Sequence, residues 1–183
     1  MKIGLLSVGT EILLGDTINT NLSKLGSLLY ESGNILTHEI TVSDIKEEIE
    51  NGFNFLMNSC DIVVTCGGLG PTEDDITRDV IAKYLDIELE LDQAHVDFMK
   101  KRWQARGLMM PEINIKQAYL PINSIKLNNT QGTAPGSLLD VNGKKIFLLP
   151  GPPREFIPLV QDELIPRILN LSGGVKKDYQ FVI

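Results

Sequence analysis

The sequence predicts an α/β domain built on a mostly parallel sheet with an antiparallel hairpin at one edge. Three observations carry this reading. Apolar, β-branched runs alternate with helically spaced apolar residues through the first half of the chain, the order of strands joined by crossover helices. Asn142-Gly143 sits between two apolar runs and marks a two-residue hairpin turn. A length of 183 residues, 43% of them hydrophobic, suits one domain with a sizeable core.

Each element has its own signal. Residues 2–8 read as a buried first strand. Residues 21–31 place Leu22, Leu25, Leu28 and Leu29 on one helical face, and Gly33 closes that helix. Residues 35–42 form a strand. Ser43 is placed to cap a helix over 44–57, whose apolar face is Ile45, Ile49, Phe53, Leu56 and Met57. Residues 62–66 form the next strand and 77–85 the next helix. The second half is less regular. Residues 92–106 read as a helix and 111–117 as a short one, while 137–141 and 144–149 are the arms of the hairpin. Pro152-Pro153 opens a last helix towards Leu169, with Pro158 restarting or kinking it. Residues 171–183, with Gly173-Gly174, read as a linker and the start of a further strand, as in a piece of a longer protein.

Composition narrows the partners. A net charge of −7 without a basic stripe argues against nucleic acid and anionic membranes. An anionic small molecule remains compatible if metal, amides or local Lys/Arg offset the field. No apolar run reaches the length of a membrane span. Glu11 interrupts the apolar start and no small-residue cleavage site follows, so the start is read as a mature N-terminus and the protein as cytoplasmic. The two cysteines, Cys60 and Cys66, lie at opposite ends of one strand, too far apart to pair, and read as core residues. Neither His38 nor His95 has a partner pattern that suggests catalysis.

The most informative stretch follows the strand at 62–66. Gly67, Gly68, Leu69, Gly70 and Pro71 lead into Thr72, Glu73, Asp74 and Asp75, read as the first turn of a helix. A glycine loop at a helix start invites an anion, yet here acids occupy that place. A phosphate brought to this loop would meet carboxylates, and the pattern asks for a divalent cation between them. Thr72 and Asp75 also have capping-box spacing, which accounts for Thr72 and one or two acids without any ligand. It does not account for three glycines at the end of a buried strand, where each costs backbone entropy.

Other strand ends belong to the same edge. Gly9-Thr10-Glu11, Gly15-Asp16 and Asn19-Thr20-Asn21 follow the first strand. Ligands of open α/β sheets bind outside the carboxyl ends of the strands, which places Glu11 near Asp75. Asn19 or Asn21 can cap the following helix. Pro150-Gly151-Pro152-Pro153 is a stiff turn at another strand end, with free amides expected after it. Gly132-Thr133-Ala134-Pro135-Gly136 is a turn leading into the hairpin.

These motifs, in this order over residues 1–170, resemble the N-terminal domain of the CinA (competence/damage-inducible) family, itself similar to molybdopterin-binding domains of molybdenum cofactor biosynthesis. The resemblance implies a three-layer α/β/α fold of molybdopterin-binding type. It also implies a metal-dependent ADP-ribose pyrophosphatase yielding AMP and ribose 5-phosphate, with a nucleotide or pterin small molecule as substrate, and a homo-oligomer. On that basis Asp75, Asp74 and Glu11 are the expected ligands of Mg²⁺, Co²⁺ or Mn²⁺, with Asp74 either a ligand or the general base. Thr10, Gly67, Gly68, Leu69, Gly70, Thr72, Gly136, Pro150, Gly151, Pro152 and Pro153 are the expected substrate contacts. Lys116 is a further expected substrate contact; it stands where the family commonly has arginine, and lysine keeps the charge but loses the bidentate fork of a phosphate clamp. A molybdopterin-binding or adenylylating protein, and a non-catalytic nucleotide-binding module, are the competing functions.

Overall fold

The computed structural model describes residues 1–171. Two strands, β1 (Ile3–Val8) and β3 (Ile62–Cys66), are buried at every position. Strands this apolar along their whole length must be covered on both faces, and the alternation of side chains sorts their neighbours into two layers. Ile3 and Leu5 with Ile62 and Val64 pack against α2 (Thr20–Glu31) and the C-terminal helices α6 (Pro153–Leu159) and α7 (Ile165–Leu171). Leu6, Val8 and Val63 face the other way, against α3 (Lys46–Ser59) and α4 (Thr77–Tyr84). The result is the expected three-layer α/β/α arrangement.

The main sheet has six strands in the order β2-β1-β3-β8-β7-β6, where β2 is Leu36–Val42, β6 Ile125–Leu127, β7 Gly136–Val141 and β8 Lys144–Leu149. The first four are mutually parallel. β7 and β6 complete the edge in antiparallel pairing. Asn142 and Gly143 both have positive φ (53° and 79°), as the type I′ hairpin turn requires. The register sets Ser7 beside Cys66 and Cys66 beside Leu149. The carboxyl ends of β1, β3 and β8 therefore share one edge of the sheet.

Several boundaries differ from the sequence reading. A four-residue helix, α1 (Thr10–Leu13), follows β1. β6 and a separate two-stranded ribbon, β4 (Leu89–Leu91) with β5 (Tyr119–Pro121), are too short to carry a period-2 signal. The helix α5 (Gln93–Gln104) is capped by Asp92, and residues Glu112–Ala118 form a 3₁₀ helix. Ser43 does not cap α3. Its hydroxyl and N–H donate instead to Glu48 at 2.7 and 3.2 Å, and the helix starts three residues later. The last helix passes through Pro158 and widens into a π turn over Val160–Leu164. Pro158 and Pro166 flank that turn, and each lacks a backbone donor. No helix among the described residues is long and apolar enough to cross a membrane. The linker and strand expected at 171–183 lie outside the described residues, apart from Leu171 in α7.

Candidate active site

Backbone packed on backbone forms the floor of the site. Gly67 has φ 108°, and a Cβ there would collide with the carbonyl oxygen of Val8. Its N–H donates to the Leu149 carbonyl at 3.1 Å. Only glycine lets β1, β3 and the turn after β8 approach this closely. Gly67 is thus structural, and its amide is not available to a phosphate as the sequence reading expected. The N–H groups of Gly68 and Gly70 have no partner among the described residues. Gly68 has φ 68°, and a Cβ on it would run into the Thr77 hydroxyl.

The acid segment is not a helical turn. α4 begins at Thr77, its N-cap is Ile76, and no side chain caps it. Thr72 and Asp75 form a closed turn ahead of the helix, in which Asp75 Oδ2 accepts the Thr72 N–H at 3.0 Å and the Thr72 hydroxyl as well. The spacing that reads as a capping box therefore builds a loop. That loop faces a cleft of about 580 Å³ at the carboxyl edge of the sheet.

The cleft gathers most of the expected residues. Glu11, Gly67, Gly68, Leu69, Gly70, Asp74, Asp75, Pro150, Gly151, Pro152 and Pro153 all line it. Four others stand apart. Thr10 spends both its N–H (2.8 Å) and its hydroxyl (2.9 Å) on Asp44 Oδ2, so it is no free donor. Thr72 acts through Asp75. Gly136 begins β7 against Leu127, on the sheet. Lys116 lies outside the cleft, where its ammonium donates to the Thr72 carbonyl at 2.8 Å and steadies the acid turn from behind. Of the amides expected free after Pro153, those of Glu155 and Phe156 are taken, both donating to the Pro152 carbonyl, and that of Arg154 has no partner among the described residues.

The fold adds residues that spacing alone does not single out. Asp44, from the loop after β2, and Gln117, from the 3₁₀ helix, complete the lining. Arg78 is almost wholly buried and donates to the Lys116 carbonyl at 2.7 Å, which anchors that helix. Burial lowers its pKa, with Asp79 and Asp75 opposing the shift. Asn19 caps α2 through the Leu22 N–H (3.0 Å) and donates to Ser7 Oγ (2.9 Å). Asn21 donates to the Gly151 carbonyl at 2.7 Å, across 130 residues of sequence, and to Cys66 Sγ at 3.0 Å. Because a carbonyl can only accept, this fixes the orientation of the Asn21 amide, and its buried oxygen is left without a protein partner. Burial pushes the Cys66 thiol up to about 12. Cys60 and Cys66 are both buried and unpaired, as expected. His95 is buried as well, and its ring bonds the Thr133 carbonyl at 2.8 Å, which anchors a loop at the rim.

Charge is the dominant property of the cleft. Glu11, Asp44, Asp74, Asp75 and Glu155 line it, and no lysine or arginine does among the described residues. Glu155 is mostly committed to structure, accepting from Asn129 at 2.8 Å. Among the described residues no three carboxylate, histidine or cysteine side chains converge into a ready-made metal cluster. The donor set is nevertheless hard oxygen. Mg²⁺-like ions are commonly held by one or two carboxylates, with water and substrate phosphate supplying the rest. The residues present fit a cation that arrives with its ligand.

A mostly parallel α/β sheet with a cleft at its carboxyl edge, floored by a glycine loop, is an architecture shared with molybdopterin-binding-type domains. This chain belongs to that family, matching the model described as "Probable molybdopterin binding domain" over residues 4–170, and within it to the CinA proteins. It is 41% identical over 175 residues to a putative competence-damage inducible protein of Alkaliphilus metalliredigens, covering 96% of this chain and 43% of that protein. It is 40% identical to a CinA-like protein of Dictyoglomus thermophilum with the same coverage. The chain thus spans less than half the length of these curated relatives. The structure of CinA from Thermoplasma acidophilum superposes with TM-score 0.81 at 34% identity, covering 90% of this chain and 97% of that one. MoaB from Thermus thermophilus, a molybdopterin biosynthesis enzyme, shares the fold at TM-score 0.58 and 18% identity, covering 97% and 99%.

Proposed function

We propose that this domain hydrolyses the pyrophosphate bond of ADP-ribose to AMP and ribose 5-phosphate, with a divalent cation that arrives with the substrate and is held by one or two of Asp75, Asp74 and Glu11. The observation that carries the reading is a nucleotide-sized cleft lined by acids and, among the described residues, by no basic side chain. Two unit charges 4 Å apart interact by about 4 kcal/mol at an effective dielectric of 20. A pyrophosphate set against several carboxylates is repelled by more than its hydrogen bonds return, unless a cation lies between. When bound, Mg²⁺, Co²⁺ or Mn²⁺ supplies charge neutralisation and a more acidic water.

The chain's own residues supply the rest. The free N–H groups of Gly68 and Gly70 face phosphate oxygens. The stiff turn at Pro150, Pro152 and Pro153 packs against the nucleoside. Water adds to one phosphorus of the bridge while the bridging P–O bond breaks. Asp74 takes the water's proton, unless it serves as a cation ligand. The test is release of AMP from ADP-ribose by the purified domain with each metal and with EDTA.

The family match favours a second reading, a pterin site in which molybdopterin occupies the same cleft. Tight molybdopterin binding without ADP-ribose turnover distinguishes it. Metal-dependent ADP-ribose binding without AMP release marks a non-catalytic module. Two further points belong to the proposal. Two unpaired cysteines suit a reducing cytoplasm. Leu14, Ile18 and Met109, exposed by 71%, 83% and 91%, suit burial in a homo-oligomer, which light scattering measures.

A further inference from the structure

The geometry points to a second, separate subsite beside the acidic cleft, one that binds a phosphoryl group through arginines. The chain has five arginines, and three of them, Arg102, Arg106 and Arg154, line one pocket of about 120 Å³ together with Trp103. That pocket has room for a phosphoryl group and not for a second nucleoside. The two pockets share Thr133 and Glu155, so they adjoin across the loop that rims the cleft.

The pocket is preorganised. Arg102 donates from both terminal nitrogens to the carbonyls of Thr130 and Gln131, each at 3.2 Å, which fixes the plane of its guanidinium. The same loop is held from below. Asn129 donates to the Ala134 carbonyl and to Glu155, both at 2.8 Å, and His95 bonds the Thr133 carbonyl. The Arg106 guanidinium makes no hydrogen bond or ion pair among the described residues, its backbone N–H alone donating to the Trp103 carbonyl. Arg154 has only a 3.7 Å approach to Glu155, the one carboxylate of the pocket, and is itself 79% exposed. Two guanidinium groups are thus largely uncommitted beside a fixed third.

A solvated helix end explains less. Arg102 lies in the last turn of α5, where a cation favours the helix dipole. Arg106 lies beyond that helix, and Arg154 comes from α6, 48 residues further along the chain. The planar fork of arginine matches phosphate bidentately. In a chain of net charge −7 whose main cleft holds no basic group among the described residues, this pocket places three guanidinium cations at the cleft's border. The phosphoryl group comes either from a phosphate substituent on a nucleotide bound in the cleft or from free phosphate.

The site rests on the arginine pocket and not on the hydrolytic reading, and the experiment separates the two. Inorganic phosphate is titrated calorimetrically into the metal-free domain in EDTA, where the acidic cleft repels it. Wild type and Asp75→Asn are expected to bind with equal affinity, weakening as salt rises. The double variant Arg106→Ala, Arg154→Ala, altered only at exposed positions, is expected to lose about tenfold or more in affinity, and the double lysine variant to recover part of it. With Mn²⁺ present, ADP-ribose and its 2′-phosphate are then compared as substrates. A rise in KM for the phosphorylated compound alone in the double alanine variant assigns the group to the substrate. Unchanged KM values for both assign it to free phosphate. No phosphate binding by wild type, or equal binding by the double alanine variant, overturns the proposal.

Discussion

No side chain fits at Gly70 without meeting Asp75, because a Cβ there would fall within contact of both carboxylate oxygens. Gly70 has ordinary backbone geometry, so alanine is conformationally acceptable there. Gly70→Ala therefore tests position and not folding. The Asp75 side chain must swing away, and a displacement of about 1 Å near the chemistry can cost about 100-fold in rate. The expected result is that loss in kcat with a melting temperature within a few degrees of wild type.

Asp75→Asn tests charge at an unchanged position. The amide oxygen can still accept from Thr72, so the turn is expected to hold and the melting temperature to stay within a few degrees. Turnover is expected to fall by about 100-fold or more, because a cation ligand is lost. Unfolding of this variant, or retained activity, shows that the carboxylate serves only the turn.

Lys116 is expected to matter through Thr72 and not through phosphate. Lys116→Met removes the 2.8 Å bond to the Thr72 carbonyl and frees the acid turn to move. The concentration of Mn²⁺ giving half-maximal activity is expected to rise severalfold, with KM for ADP-ribose nearly unchanged. Lys116→Arg keeps a donor and is expected to restore most of the metal affinity. A rise confined to KM returns Lys116 to the role of phosphate clamp.

Much of this arrangement is legible in the chain. Largely apolar runs at 3–8 and 62–66, interrupted only by Ser7 and Thr65, point to central strands, and Asn142-Gly143 fixes the hairpin. The acid segment is harder, because Thr72 and Asp75 have the same spacing in a capping box and in a closed turn. Only the position of α4 separates the two. Thr10 reads as a ligand donor until the fold brings Asp44 to it, 34 residues away. Asp44 and Gln117 carry no local signal at all. Parallel topology and the 3₁₀ helix place them in the cleft.

Asn21→Ala tests the link between the first and last thirds of the chain. It removes the bond to the Gly151 carbonyl and leaves that part-buried acceptor without its donor. A loss of about 1–3 kcal/mol is expected in urea unfolding.

His95 gives the stability a pH dependence. Burial holds its imidazole below the ordinary value of 6.5, against opposing contributions from the Thr133 carbonyl and Asp92. Above pH 6.5 the ring is largely neutral both folded and unfolded, and the folded state has its full stability. As pH falls below 6.5 the unfolded chain takes up the proton first, so stability declines until the folded ring protonates too. Unfolding midpoints at about pH 7.5 and 5.5 are expected to differ in wild type. They are expected to converge in His95→Gln, whose amide can still donate to Thr133.

The most direct test of the acidic cleft is to incubate the purified domain with ADP-ribose and Mg²⁺, Co²⁺ or Mn²⁺ and to measure AMP. The account predicts AMP and ribose 5-phosphate in equal amounts with at least one metal, and neither in EDTA nor with Asp75→Asn. Absence of AMP with all three metals, or release of AMP undiminished in EDTA, would contradict it.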